Sequence, residues 1–337
     1  MASGNKDDRI NENSGDCVCS WVQTDDGIQL FLRRWKTPSF PKAVLHIVHG
    51  MAEHSARYGI LARCLVKEGI EVWAADQRGH GETTKNEKNN PGRGGKLGHC
   101  ADGDGFARVT DDIDILNKAI REEFPKLPIF LLGHSWGSFI AQNYIENFDG
   151  KLNSENPAVL AGCILSGTRG PNGIKIAIGA PFMSFLAFLL GERHPSRIAK
   201  AMADGPYNKA FRPNRTSFDW ISRDEMVVDA YVSDPFCGML CSVGFYRDMA
   251  RALKRIHKSE EMAKIRKELS VYIFSGSADP VGDMGASPAA LAVAYRHLGI
   301  TDLETVLYPD ARHETLNETN RDEVHGSLLS WLLRHCV

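Results

Sequence analysis

The sequence predicts an α/β protein with a mostly parallel central sheet, helices on both faces and an inserted helical cap. Two observations carry this reading. Short β-rich apolar runs alternate along the chain with longer segments of helical spacing. One stretch, from Gly167 to about Asp234, breaks the alternation.

The elements follow in order. Residues 19–24 and 28–35 flank the turn Asp25-Asp26-Gly27 and read as a hairpin, placing antiparallel pairing at one edge. Ala43–Val48 is a buried strand. Tyr58–Glu68 has helical spacing at Ile60, Leu61, Cys64 and Leu65 and stops at Gly69. Ile70–Ala74 is a strand and Thr110–Glu123 a helix. Pro128 precedes the strand Ile129–Leu132, and Ser135–Glu146 is helical. Leu160–Leu165 and Val271–Phe274 are strands, Pro288–Leu298 a helix and Leu303–Leu307 a strand. Arg321–Cys336 is an amphipathic closing helix. The domain therefore spans residues 19–337, with a cap inserted at about 168–234. Residues 1–18 open the chain as a polar segment expected to be disordered.

Composition bounds the function. With 40 Lys+Arg against 42 Asp+Glu, the net charge of −2 gives no basic face for nucleic acid. No uninterrupted apolar run is long enough to span a bilayer, and the start lacks the apolar core of a secretory signal. The eight cysteines show no paired CxxC spacing, so neither a zinc site nor any other metal is expected; a reducing cytoplasm is the expected setting. The Gly-rich stretch Pro91–Gly105 lacks the strand context of a nucleotide-binding loop and reads as a loop beside the sheet.

The chemistry-bearing signal is Gly133-His134-Ser135-Trp136-Gly137, a G-x-S-x-G placed between a predicted strand and a predicted helix. That context defines a nucleophile elbow, in which a sharp turn lifts a serine hydroxyl clear of the sheet. A base must remove its proton. Among twelve histidines His313 is favoured, because it sits on a loop after the last strand and before the closing helix. The acid that holds the base should follow an earlier strand. Asp279 does so; it could instead cap a turn before Pro280, and Asp234, also before a proline, is its rival.

In this set of motifs the chain resembles the α/β-hydrolase fold, and within it the monoglyceride lipase and lysophospholipase-like branch. The resemblance covers about residues 20–335. It rests, in order, on His49-Gly50-Met51-Ala52-Glu53-His54, Asp76-Gln77-Arg78-Gly79-His80-Gly81, the elbow, Ser233-Asp234-Pro235, Gly276-Ser277-Ala278-Asp279 and His313. It implies a Ser135-Asp279-His313 triad and an oxyanion hole made by the amides of Trp136 and Met51. Many family members carry glycine where this chain has Ala52. They carry a second histidine where it has Leu316, so glycerol selectivity is open.

Glu53, His54 and Arg57 read either as a polar wall near a head group or as a local ion-pair cluster. Phe182, Met183, Phe185, Leu186, Phe188 and Leu189, on the apolar cap segment Ile174–Leu190, suit an acyl-binding tunnel and lid, and also contact with a membrane surface. The expected function is hydrolysis of acyl esters, of the monoacylglycerol or lysophospholipid kind, with no cofactor. A thioesterase, an acyltransferase and a non-catalytic hydrolase-fold binder are the alternatives.

Overall fold

A computed structural model of the protein describes residues 17–85, 95–149, 159–171, 174–203 and 205–336. The expected disordered start therefore lies outside the described residues up to position 16, as does Pro91–Gly94 of the Gly-rich stretch. Cys17 and Val18 belong instead to the first strand, paired with Trp35 and Arg34.

Eight strands form one sheet in the order β1-β2-β4-β3-β5-β6-β7-β8. The hairpin of β1 (Cys17–Gln23) and β2 (Gln29–Trp35) supplies the antiparallel edge, and β2 also pairs antiparallel with β4 (Ile70–Asp76). All other pairings, through β3 (Ala43–Val48), β5 (Ile129–His134), β6 (Gly162–Ser166), β7 (Ser270–Gly276) and β8 (Leu303–Tyr308), are parallel. Every residue of β3, β4, β5, β6 and β7 is buried, as strands covered on both faces must be.

Two apolar layers do the covering. Helix α1 (Gly59–Lys67) packs with the closing helix on one face, in a core that joins Leu61 and Leu65 to Leu328 and Trp331. On the other face α2 (Gly105–Glu123) and α3 (Trp136–Asn147) bury Phe106, Ile113, Phe139 and Tyr144. Helix α2 begins five residues before the predicted Thr110. The carboxylate of Asp104 caps it by accepting from the Ala107 amide at 3.0 Å, a local bond that apolar spacing does not register.

Between β6 and β7 the alternation stops, and α4 (Ile174–Leu190), α5 (Arg197–Ala203), α6 (Glu225–Ser233) and α7 (Val243–Ile256) follow one another. Helix α4 packs on α7. The chain then resumes with β7, α8 (Ala286–His297), β8 and α9 (Arg321–Arg334). No described helix is long and apolar enough to cross a membrane.

Candidate active site

Ser135 stands between β5 and α3 with φ 53° and ψ −121°, a backbone region that a non-glycine residue occupies only when its surroundings force it. The forcing is visible at the two glycines. A side chain at Gly133 would run into the backbone of Gly137 and Ser138, and one at Gly137 into the carbonyls of Val48 and His49. The elbow can close only because both positions lack a Cβ.

His313 sits on the loop between β8 and α9 and is 3% exposed. Its Nδ1 donates to Oδ1 of Asp279 at 3.0 Å. The same Asp279 oxygen accepts from the Val281 amide at 2.9 Å, and the other oxygen accepts from Ser275 Oγ at 3.0 Å. Burial opposes ionisation of Asp279, but His313 and these donors hold its carboxyl below its ordinary value. Burial likewise opposes the imidazolium of His313; Asp279, with Glu314 and Glu53 behind it, outweighs that and raises the ring's pKa. Nε2 of His313 is buried without a hydrogen-bond partner among the described residues, and His313 and Ser135 line the same small pocket. An acid, a base with its other nitrogen unengaged and a hydroxyl therefore share one corner. Catalytic hydrogen bonds that are open in the free protein commonly tighten when substrate binds.

Asp234, the rival acid, points elsewhere: its Oδ2 lies 2.8 Å from His54 Nε2.

Trp136 is the first residue of α3, where a helix leaves its amides without intrahelical partners. Its ring stacks on buried His80 at 5.4 Å. Met51 lies on the loop after β3 and lines both pockets that reach Ser135. Buried His49 fixes that loop. The Gln77 amide donates to its Nε2 at 3.0 Å, so Nδ1 carries the hydrogen and donates to the Gly50 carbonyl at 2.8 Å. The next residue explains the family's glycine: Ala52 has φ 54°. Its carbonyl accepts from the Gly238 amide and from Tyr231 Oη, both at 2.9 Å.

Glu53 and Arg57 form an ion-pair cluster. Glu53 Oε1 accepts from the Gly50 amide at 2.5 Å and from Tyr58 Oη at 2.9 Å, while Oε2 accepts from Arg57 at 2.7 Å. Arg57 also grips Glu314, the neighbour of His313, with two bonds of 2.7 and 2.6 Å. Burial penalises the Glu53 carboxylate, yet Arg57 brings its pKa down to about 2. Glu53 and Glu314 still face the small pocket beside Ser135.

On its other side Ser135 opens into a cavity of about 610 Å³. Met51, Met183, Met202, Met249 and Met284 line it, with Phe139, Tyr246 and Leu253. Of the six predicted tunnel residues only Met183 does. Phe182, Phe185 and Phe188 are 41%, 58% and 84% exposed, while the cap helix turns Met183 and Leu186, with Ala187, inward. The helix is apolar on every face, so its sequence names no inward side; packing on α7 chooses one.

Sequence reasoning missed Trp220 and Glu314. The Trp220 ring lies 5.1 Å from that of His313, and its carbonyl accepts from the His313 amide at 3.4 Å. Trp220 comes from the irregular part of the insertion, where no periodicity points to it. Leu316, at the position of the family's second histidine, packs into the apolar layer under α9.

The chain matches the family described as serine aminopeptidase, S33, over residues 39–320. It is similar to the monoglyceride lipase of Homo sapiens, 29% identical over 260 residues that cover 77% of this chain and 72% of the human protein. It is also similar to the monoacylglycerol lipase of Mycolicibacterium smegmatis, 25% identical over 92% of this chain and 94% of that protein. Among solved structures, a thermostable carboxyl esterase from Bacillus coagulans in complex with glycerol superposes with a TM-score of 0.84. It is 25% identical, and the match covers 96% of this chain and 100% of the esterase.

Proposed function

Because the chain belongs to the serine aminopeptidase S33 family and is a carboxylic ester hydrolase on the α/β-hydrolase fold, we propose that it cleaves acyl esters of small polar alcohols, monoacylglycerols or lysophospholipids, through Ser135, His313 and Asp279. One observation carries this reading. Ser135 stands where two chambers of unlike size meet, one of about 610 Å³ lined largely by methionines and one of about 30 Å³ onto which Glu53, His313 and Glu314 open. An ester bond whose two sides differ in the same way fits across that junction.

The geometry supports these steps. The acyl chain enters the methionine-lined cavity, which brings its carbonyl carbon to Ser135 Oγ. His313 Nε2 takes the hydroxyl proton as Oγ attacks, and Asp279 holds the imidazolium at Nδ1. The amides of Met51 and Trp136 receive the oxyanion. The proton on Nε2 passes to the alcohol as it leaves, and water returns along the same route to release the acid. The exposed phenylalanines of α4, with Leu189 and Ile198, supply an apolar face for transient contact with a membrane surface, where such substrates reside.

The test is hydrolysis of p-nitrophenyl esters of graded chain length, alongside a monoacylglycerol and a lysophospholipid, by the wild type and Ser135→Ala. Activity and fluorophosphonate labelling that both vanish in the variant are expected. Labelling that persists in Ser135→Ala overturns the assignment of the nucleophile. Activity on short esters with none on either lipid overturns the substrate class.

A further inference from the structure

We infer that His54, Asp234 and Cys237 form a site for a zinc-like divalent cation, outside the site at Ser135. One ligand atom from each residue can be chosen so that all three lie within 4.8 Å of one another. Tetrahedral zinc, with bonds of about 2.0–2.3 Å, spaces its nitrogen, oxygen and sulfur ligands about 3.3–3.6 Å apart. His54 Nε2 and Asp234 Oδ2 are 2.8 Å apart, so the cation must part them slightly.

The turn that carries two of the ligands is already formed. Asp234 Oδ1 accepts from the Phe236 amide at 2.8 Å, leaving Oδ2 to face His54, and the Cys237 amide donates to the Asp234 carbonyl at 3.1 Å. The Asp234 side chain is 29% exposed, so water reaches this carboxylate.

Ligand chemistry selects the cation. One imidazole, one carboxylate and one thiolate suit zinc or cadmium and do not suit magnesium or calcium, which prefer all-oxygen shells. The local charge also favours a cation. Burial pushes the pKa of the Cys237 thiol up, and Arg57, which opposes this, has its own charge matched by Glu53 and Glu314. Asp234 adds a further negative charge. Lys85, over the ring of Phe236, is 60% exposed and screened by water. On binding, the thiol proton is released to solvent, the hydrogen that His54 Nε2 donates to Asp234 passes by way of solvent to Nδ1, and metal–sulfur and metal–nitrogen bonds take their places.

The cation joins two segments. Gly238, one residue past Cys237, donates its amide to the carbonyl of Ala52, two residues before His54. Metal at this site therefore clamps the turn after α6 onto the loop after β3, and it stabilises that junction without touching Ser135.

Cadmium titration of the reduced full-length protein tests this, because a thiolate–cadmium bond adds an ultraviolet charge-transfer band. One equivalent of cadmium should develop the band, and zinc should displace it. The band should be absent in Cys237→Ser, weakened about tenfold or more in affinity in His54→Gln, and retained in Cys64→Ser. Zinc should raise the Tm of the wild type and leave that of Cys237→Ser unchanged. A wild type with no saturable band, a band that survives in Cys237→Ser, or zinc that fails to displace cadmium overturns the proposal. Should Cys237→Ser not fold, as circular dichroism would report, His54→Gln decides alone: undiminished affinity overturns it.

Discussion

Arg57 and Glu314 meet through two parallel hydrogen bonds of 2.7 and 2.6 Å, and both side chains are almost wholly buried. Glu314 follows His313 directly, and the second carboxylate on Arg57, that of Glu53, accepts from the Gly50 amide. One guanidinium thus ties the loop that carries His313 to the loop that carries Met51. It matches only one of the two carboxylate charges, so the cluster remains negative beside the imidazole.

That residual charge should appear in the pH profile. The pKa of His313 is raised, and a base must be neutral to act, so kcat/KM should fall as pH drops through a value above about 6.5, the ordinary histidine value. Glu314→Gln removes one negative charge and keeps an acceptor for Arg57. Its acid limb should move to lower pH. An unshifted limb would mean that Glu314 acts on the loop alone.

Arg57→Met should be severe. It leaves Glu53 and Glu314 buried together with no cation between them. A loss of about 3–5 kcal/mol in urea unfolding is expected, as for other buried pairs broken from one side. A loss below about 1 kcal/mol would show that water reaches these carboxylates.

Ala52→Gly should stabilise the protein. A left-handed φ costs a side-chain-bearing residue about 1–2 kcal/mol, and glycine escapes that at a smaller entropic cost in the unfolded chain. A net gain of about 0.5–1 kcal/mol is expected from thermal unfolding, with the bonds from Gly238 and Tyr231 preserved. A lower Tm would contradict it.

Phe185→Ser with Phe188→Ser should separate two activities. Both rings point outward, so hydrolysis of a soluble short ester should be unchanged while turnover of the same lipid in vesicles falls several-fold. Met183→Ser should do the reverse, harming long soluble esters more than short ones. Equal losses in vesicles and in solution for the phenylalanine pair would remove the membrane role.

Acid should unfold the protein partly through its buried histidines. Burial pushes His46 and His134 down to about 4 and His80 to about 3. Each prefers the neutral form when folded but accepts a proton near 6.5 when unfolded. The stability they contribute is complete above pH 6.5 and is lost as pH falls toward 4 and 3, by about 1.4 kcal/mol per pH unit for each. His313 works in the opposite direction, holding its proton better when folded. Tm measured from pH 7 to pH 4 should therefore decline; a flat profile would mean these rings are reached by water.

The elements that position Ser135, Asp279 and His313 were legible because their signals are local. Glycines on both sides of Ser135, a strand before it and a helix after it lie within a few residues of one another. The same holds for Asp279 after β7 and His313 after β8. What was illegible depends on distance along the chain. Nothing near Glu314 announces Arg57, 257 positions away. Trp220 reaches His313 through an irregular segment. The inward face of α4 was unreadable because apolar residues surround the helix. The start of α2 was hidden for a different reason: its signal is the capping carboxylate of Asp104, not an apolar period.

The two sides of Ser135 also differ in stiffness. Five of the nine methionines in the chain line the large cavity, and methionine is unbranched, with three rotatable bonds. Such a wall reshapes itself around a kinked or branched chain with little penalty, so it discriminates poorly by shape. The opposite wall is immobilised by charge: Glu53 and Glu314 cannot swing without abandoning Arg57. On the proposed placing of an acyl ester across Ser135, tolerance falls to its acyl half, and the alcohol half meets the unyielding surface on which selection falls.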